Sequence, residues 1–217
     1  MIKFIVRRTI AVTLLCFCAA AAFGQGVEFQ FQGVEIFRDV LWLGNSETDS
    51  APSPILGVWG AAAKFKLTER FFFLPEIGLY GIEYFYRDGK ALPAEIEYAD
   101  AVGTLVVLLD PLVAYNIPLP GGKLAVLAGT GPALSIKIPI VPHGDAPTSE
   151  VGGYFFEKLR FLHWEFKGVL EWNLTDSLGL SVRLRTLLPI YRFWDGEGSP
   201  IYDGLMAGAG VGFRIRL

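Results

Sequence analysis

The stretch Leu205-Met206-Ala207-Gly208-Ala209-Gly210-Val211-Gly212-Phe213-Arg214-Ile215-Arg216-Leu217 decides the fold. Its odd positions, from Leu205 to Leu217, are all apolar. Its even positions after Met206 are Gly208, Gly210, Gly212, Arg214 and Arg216. A period of two belongs to a β-strand, whose side chains point alternately to its two faces. One face is greasy; the other is small or cationic.

The segment upstream behaves alike. Leu178, Leu180, Val182, Leu184, Leu188 and Ile190 share one face, with Thr186 the exception, against Gly179, Ser181, Arg183 and Arg185. Before it, Leu162, Trp164, Phe166, Leu170 and Trp172 alternate with His163, Glu165, Lys167, Glu171 and Asn173. Further back, Leu124, Val126, Leu134, Ile136 and Ile138 oppose Gly129, Gly131, Ser135 and Lys137. Residues 105–115 are apolar on both faces except Asp110. Phe71, Phe73, Ile77 and Leu79 alternate with Glu76, Gly78 and Tyr80, with Pro75 as an interruption. Trp59, Ala61, Ala63 and Phe65 alternate with Gly60, Ala62, Lys64 and Lys66. Nearest the start, Val27, Phe29 and Phe31 alternate with Glu28, Gln30 and Gln32. These segments make eight strands, and no helix-period segment is read between them.

The connections take turns in length. Short ones fall at 67–70, 118–123 and 175–177; longer polar ones at 44–54, 87–100, 142–153 and 195–203. Short alternating with long is the pattern of an up-and-down barrel, with the short turns at the periplasmic end and the long loops outside. The expected fold is all-β, a closed eight-stranded antiparallel up-and-down transmembrane β-barrel over residues 25–217.

Residues 1–24 read as a signal peptide. Lys3, Arg7 and Arg8 precede an apolar run over residues 10–22, and Ala22-Phe23-Gly24 offers a cleavage site after Gly24. Both cysteines, Cys16 and Cys18, lie in this segment, so the mature chain has no thiol for a disulfide or a thiolate metal site. Removing it takes away three bases and leaves 16 Lys+Arg against 22 Asp+Glu. That acidic balance argues against nucleic acid as a partner, since phosphate binding needs a basic surface.

Alternation alone does not choose between a membrane barrel and a soluble lipocalin-like lipid carrier, which also alternates. Two features favour the membrane. Phe65, Phe71, Phe73, Tyr115 and Trp172 stand next to the short turns, where an interfacial aromatic girdle belongs. The polar face is rich in glycine and mixes both signs of charge, as a crowded, self-paired lumen requires.

The terminal residues Gly212, Ile215 and Leu217 fit a further pattern. They resemble the C-terminal insertion signal of bacterial outer-membrane barrels, with Leu217 in place of the usual terminal aromatic. With eight strands, residues 25–217 are similar to the OmpA/OmpX/OmpW-like superfamily of small barrels. The resemblance implies residence in the bacterial outer membrane and contact with its lipid. It also implies recognition by the barrel-assembly machinery through the last strand.

The expected lumen polar network is Glu28, Lys64, Glu76, Asp110, Lys137, His163, Glu165, Lys167, Glu171, Arg183, Arg185, Arg214 and Arg216, with Lys66 beside it. Such charges avoid lipid, where an Arg or Lys at the midplane costs about 2–4 kcal/mol. Five acids against eight bases imply a surplus of about three positive charges. Closure implies Glu28 near Arg214 or Arg216. Neither a metal nor another cofactor is expected, because His143 and His163 are the only histidines. No enzyme activity is expected, because no serine lies near His163 along its strand. The function expected is that of a monomeric integral barrel with a structural or small-solute permeation role. The alternatives are a surface adhesin that takes an extracellular ligand through loops 87–100 and 195–203, and the lipocalin-like carrier.

Overall fold

The computed structural model describes residues 29–45, 55–94, 101–142 and 147–217. The expected signal peptide, its cleavage site, Glu28 and His143 lie outside these residues.

Strand β1 spans Gln30–Leu43, β2 Ile55–Lys66, β3 Phe71–Arg87, β4 Lys90–Ala94, β5 Val102–Pro118, β6 Leu124–Pro142, β7 Leu162–Asn173, β8 Leu178–Leu188 and β9 Met206–Arg216. The pairing runs β1, β2, β3, β5, β6, β7, β8, β9 and back to β1, every neighbour antiparallel. Eight strands therefore close on themselves. The short β4 pairs only with the outer end of β3, through a tight turn at Asp88 and Gly89 where both residues have positive φ. Loop 87–100, read as a plain loop, begins as a hairpin extension.

The alternating pattern places its faces as a barrel requires. Trp59, Leu184 and Val211 are 56%, 62% and 63% exposed on the outer wall, while Arg183, Arg185 and Arg214 are buried inside. Pro75 does not interrupt β3. It stands opposite Pro111 of β5, and the register passes through both without a shift.

In β1 the expected register fails. The alternation of Phe29 and Phe31 does not continue, because Gly33 forms a β-bulge between Phe31 and the rest of the strand. Gly33 has φ +140°, and a Cβ there would collide with the Ile215 backbone of β9. Beyond it the faces exchange. Val34, Ile36 and Trp42 point outward, while Glu35, Phe37, Asp39 and Leu41 point inward. A one-residue insertion has this effect because the side-chain period is two.

The interior is layered. Phe72, Leu74, Leu112, Ala114, Leu127 and Val169 form an apolar cluster toward the short turns. A larger apolar cluster, including Leu41, Leu43, Leu56, Tyr84, Val102 and Met206, lies toward the long loops. The ion pairs of Arg183 and Arg185 fill the space between. This explains why 105–115 is apolar on both faces: Val106, Leu108 and Leu112 line the interior beside Asp110.

A helix also appears where only loop was expected. α1, Thr148–Phe156, buries Val151, Tyr154 and Phe155 and packs against β3, β4 and β6. Two 3-10 turns, Glu157–Leu159 and Ile190–Phe193, continue the structured cover.

Candidate functional site

The centre of the barrel is a set of buried ion pairs anchored on β8. Its register places Arg183 and Arg185 two residues apart on the inner face. Arg185 pairs with Glu165 on the neighbouring β7 at 2.7 Å, with Asp39 of β1 at 3.0 Å and with Asp110 of β5 at 2.6 Å. Arg183 pairs with Glu35 of β1 at 2.7 Å and also with Glu76 of β3. Its guanidinium lies 3.6 Å from the centre of the Phe37 ring. Lys167 of β7 joins Glu76 and Glu165. In the closed wall β3 stands opposite β8, so Glu76 ties facing walls together.

Nearer the short turns is a second set. Lys64 of β2 binds Glu171 of β7, also on the opposite wall, at 3.0 Å. Glu171 also pairs with Arg214. Asn173 accepts from Arg214 at 3.0 Å and from Arg216. Lys66 stays near the β2–β3 turn and pairs with Glu69.

Ten residues of the expected lumen network thus meet in these two sets: Lys64, Glu76, Asp110, Glu165, Lys167, Glu171, Arg183, Arg185, Arg214 and Arg216. Lys137 and His163 face inward but sit apart, at the loop end. Glu35 and Asp39 were missed, and the β1 bulge is the reason. The expected cationic surplus shrinks with them from about three to one. Among the described residues, the acids Glu35, Asp39, Glu76, Asp110, Glu165 and Glu171 face the bases Lys64, Lys137, Lys167, Arg183, Arg185, Arg214 and Arg216. The place expected for Glu28 beside Arg214 belongs to Glu35, its cross-strand partner in β9.

The glycines of β9 make these contacts geometrically open. A Cβ at Gly212 would overlap the Glu35 carboxylate and the Ser181 hydroxyl. One at Gly210 would overlap the Asp39 carboxylate, and one at Gly208 the Leu41 side chain. The inner side chains of β1 lie across a bare strip of β9 and so reach the arginines of β8.

The short-turn end carries an aromatic collar. Phe65 and Phe73 each meet Phe29 edge to face, Phe31 lies tilted against Phe65, and Phe71 meets Tyr115 at 5.3 Å. Trp172 is half exposed at the same end of the barrel, on β7.

The loop end is built from α1, the 190–203 segment and the inner ends of β3 and β6. Arg160 donates to Glu197 at 2.6 Å, and Arg192 donates to Asp195 and Glu197, each at 2.9 Å. The Tyr154 hydroxyl donates to Glu197 at 3.2 Å. Glu197 thereby ties the two long loops together. Burial pushes the Tyr191 phenol up to about 12 and raises that of Tyr154 as well. His163 is buried, edge-on to Tyr191 at 5.5 Å, with Nδ1 3.3 Å from the Phe161 carbonyl. Below these residues is a cavity of about 60 Å³. Among the described residues, no group of three or more His, Cys, Asp and Glu side chains is arranged to hold a metal.

No known family model matches the chain, and no curated protein matches its sequence. Solved structures do match. Neisserial surface protein A (NspA) superposes with a TM-score of 0.50 and 9% identity, over 89% of this chain and all of that one. The protein has the fold of the small eight-stranded outer-membrane β-barrels. Two further small barrels align more loosely. Ail, the attachment invasion locus protein of Yersinia pestis, gives 0.45 and 7% identity over 87% of this chain and 99% of its own. The N-terminal barrel domain of Pseudomonas aeruginosa OprF gives 0.41 and 13% over 86% and 99%. At these identities the small-barrel likeness speaks for architecture alone.

Proposed function

We propose that the chain is a monomeric integral protein of the bacterial outer membrane, with a structural role and a plugged interior. The observation that carries the reading is the sidedness of the wall. Ile36, Leu79, Phe166, Leu184 and Val211 are exposed on the outside, while carboxylates and guanidiniums are buried inside. That is the reverse of what water outside would select, and it fits a hydrocarbon surround. It equally weighs against a soluble carrier with a dry apolar interior. Closure leaves no free barrel edge to pair with a second chain. In this reading Gly212, Ile215 and Leu217 are the terminal signal for the barrel-assembly machinery.

The ion pairs span opposite walls, which supports a plug over a pore. The experiment is twofold. Expression in a bacterial envelope should place the protein with outer-membrane markers, and its gel mobility should change on heating. Recovery in the soluble periplasm without detergent would overturn the membrane reading. Planar bilayers containing refolded protein should stay silent, and discrete conductance steps would replace the plug with a permeation path.

A second reading rests on the loop between β8 and β9. Phe193, Trp194, Ile201 and Tyr202 are exposed there, Phe193 by 74%. Large exposed aromatics on a tied-down loop suit adhesion to an extracellular partner. Shortening 195–203 should abolish surface binding while leaving heat-modifiable migration intact, and unchanged binding would end this reading.

A further inference from the structure

The loop-end cavity holds a cation without a counter-charge. Four cationic side chains line it that the ion pairs of the lumen do not use: Lys90, Arg160, Arg192 and Lys137. Lys90 has an interaction of its own. Glu197 and Asp195 neutralise the two arginines. Lys137 is only 7% exposed and meets no carboxylate among the described residues. Its described polar contact is with a ring: Nζ lies 4.4 Å from the centre of Phe155. The neighbouring phenols of Tyr154 and Tyr191 stay protonated and offer no negative charge.

A buried ammonium with no paired anion is costly, and sequence offers easy apolar replacements at such a position. Here it stands at the wall of a cavity rather than in packed core. Tyr84, Leu92, Phe155 and Met206 form apolar walls around the same space, with His163 close by. The cavity volume of about 60 Å³ holds roughly four to six water-sized groups.

We propose that this cavity binds a small organic monocarboxylate, whose carboxylate pairs with the Lys137 ammonium and whose short apolar body lies against Phe155 and Tyr84. One uncompensated positive charge matches one negative charge. The apolar walls favour an alkyl group over a second charged oxygen cluster, so a monocarboxylate of acetate-to-butyrate size fits better than phosphate. Binding at this site depends neither on conductance nor on the exposed aromatics of the outer loop.

The test uses the full chain refolded in detergent, with propionate as probe because so short an acid stays out of micelles. Saturation-transfer NMR should show saturable propionate binding to the native sequence. Lys137→Met keeps the unbranched stem and removes the charge; it should weaken binding at least tenfold while heat-modifiable migration is retained. Its urea midpoint should equal or exceed that of the native protein, since the uncompensated ammonium is gone. If Lys137→Met does not refold, Lys137→Gln serves the same comparison. Inorganic phosphate should bind at least tenfold more weakly than propionate. The proposal is overturned if propionate does not saturate, if the charge-free variant binds it equally, or if phosphate binds as well. Mobility on unheated gels reports the barrel separately, so loss of the fold and loss of the site are distinguishable.

Discussion

Asp110 of β5 and Arg185 of β8 meet at 2.6 Å across the interior, although β6 and β7 separate them along the wall. The same guanidinium serves Asp39 of β1 and Glu165 of β7. One side chain therefore links four strands; its removal leaves Asp110 without its described ion-pair partner, while Asp39 and Glu165 keep only Arg183 and Lys167. Arg185→Met should lower the unfolding free energy by about 3–5 kcal/mol, the usual cost of orphaning a buried charge. Urea titration of the refolded barrel, followed by tryptophan fluorescence, measures it. A loss below about 1 kcal/mol would mean the carboxylates find other partners.

The bare strip on β9 makes a steric prediction. Gly210→Ala and Gly212→Ala each push a methyl group into the carboxylate or backbone of β1. Overpacking of this kind costs about 1–3 kcal/mol. Gly168→Ala on β7, where a Cβ meets nothing within 4 Å, is the control and should leave the urea midpoint nearly unchanged.

The outer wall makes a solvent prediction. Leu184→Arg and Val211→Arg place a cation on the exposed apolar face. In lipid vesicles each should cost about 2–4 kcal/mol if its position lies near the midplane. Ser177→Arg in the β7–β8 turn should cost nothing measurable. Equal tolerance at all three positions would remove hydrocarbon from the outside of the barrel.

Tyr191 makes a pH prediction. Burial raises its phenol from 10.0 to about 12, so the folded state holds that proton more tightly than the unfolded chain. The stability this gives is whole below about pH 10 and is lost as the pH climbs toward 12, amounting to at most about 3 kcal/mol. Urea midpoints should fall across that window and should fall less in Tyr191→Phe.

The later strands were legible in the sequence because period two runs through β9 and, with Thr186 the one exception, through β8. The ten expected lumen residues of the two ion-pair sets were visible for the same reason: each sits opposite a greasy neighbour. β1 was not legible. Phe29 and Phe31 set a phase that Gly33 reverses, and the reversal hid Glu35 and Asp39. A signal was present: the glycine stands where odd-position hydrophobics give way to even-position ones, Val34, Ile36, Val40 and Trp42. The α1 helix escaped because Val151, Tyr154 and Phe155 cover barely one helical turn, inside a segment with two glycines. The loop-end cavity was beyond sequence altogether. It gathers residues from β3, β6, α1 and the β8–β9 connection, brought near one another only when the cylinder closes.

The seam between β1 and β9 joins the first and last strands of the barrel, the longest closure among the described residues. Until that zipper forms, Arg183 and Arg185 lack the acids that β1 supplies. A half-assembled cylinder would therefore carry under-neutralised guanidiniums on β8, held only by the acids of β3, β5 and β7, and docking the earliest strand completes their pairing. Charge neutralisation and completion of the wall become a single event, so an unfinished molecule has an electrostatic incentive to finish.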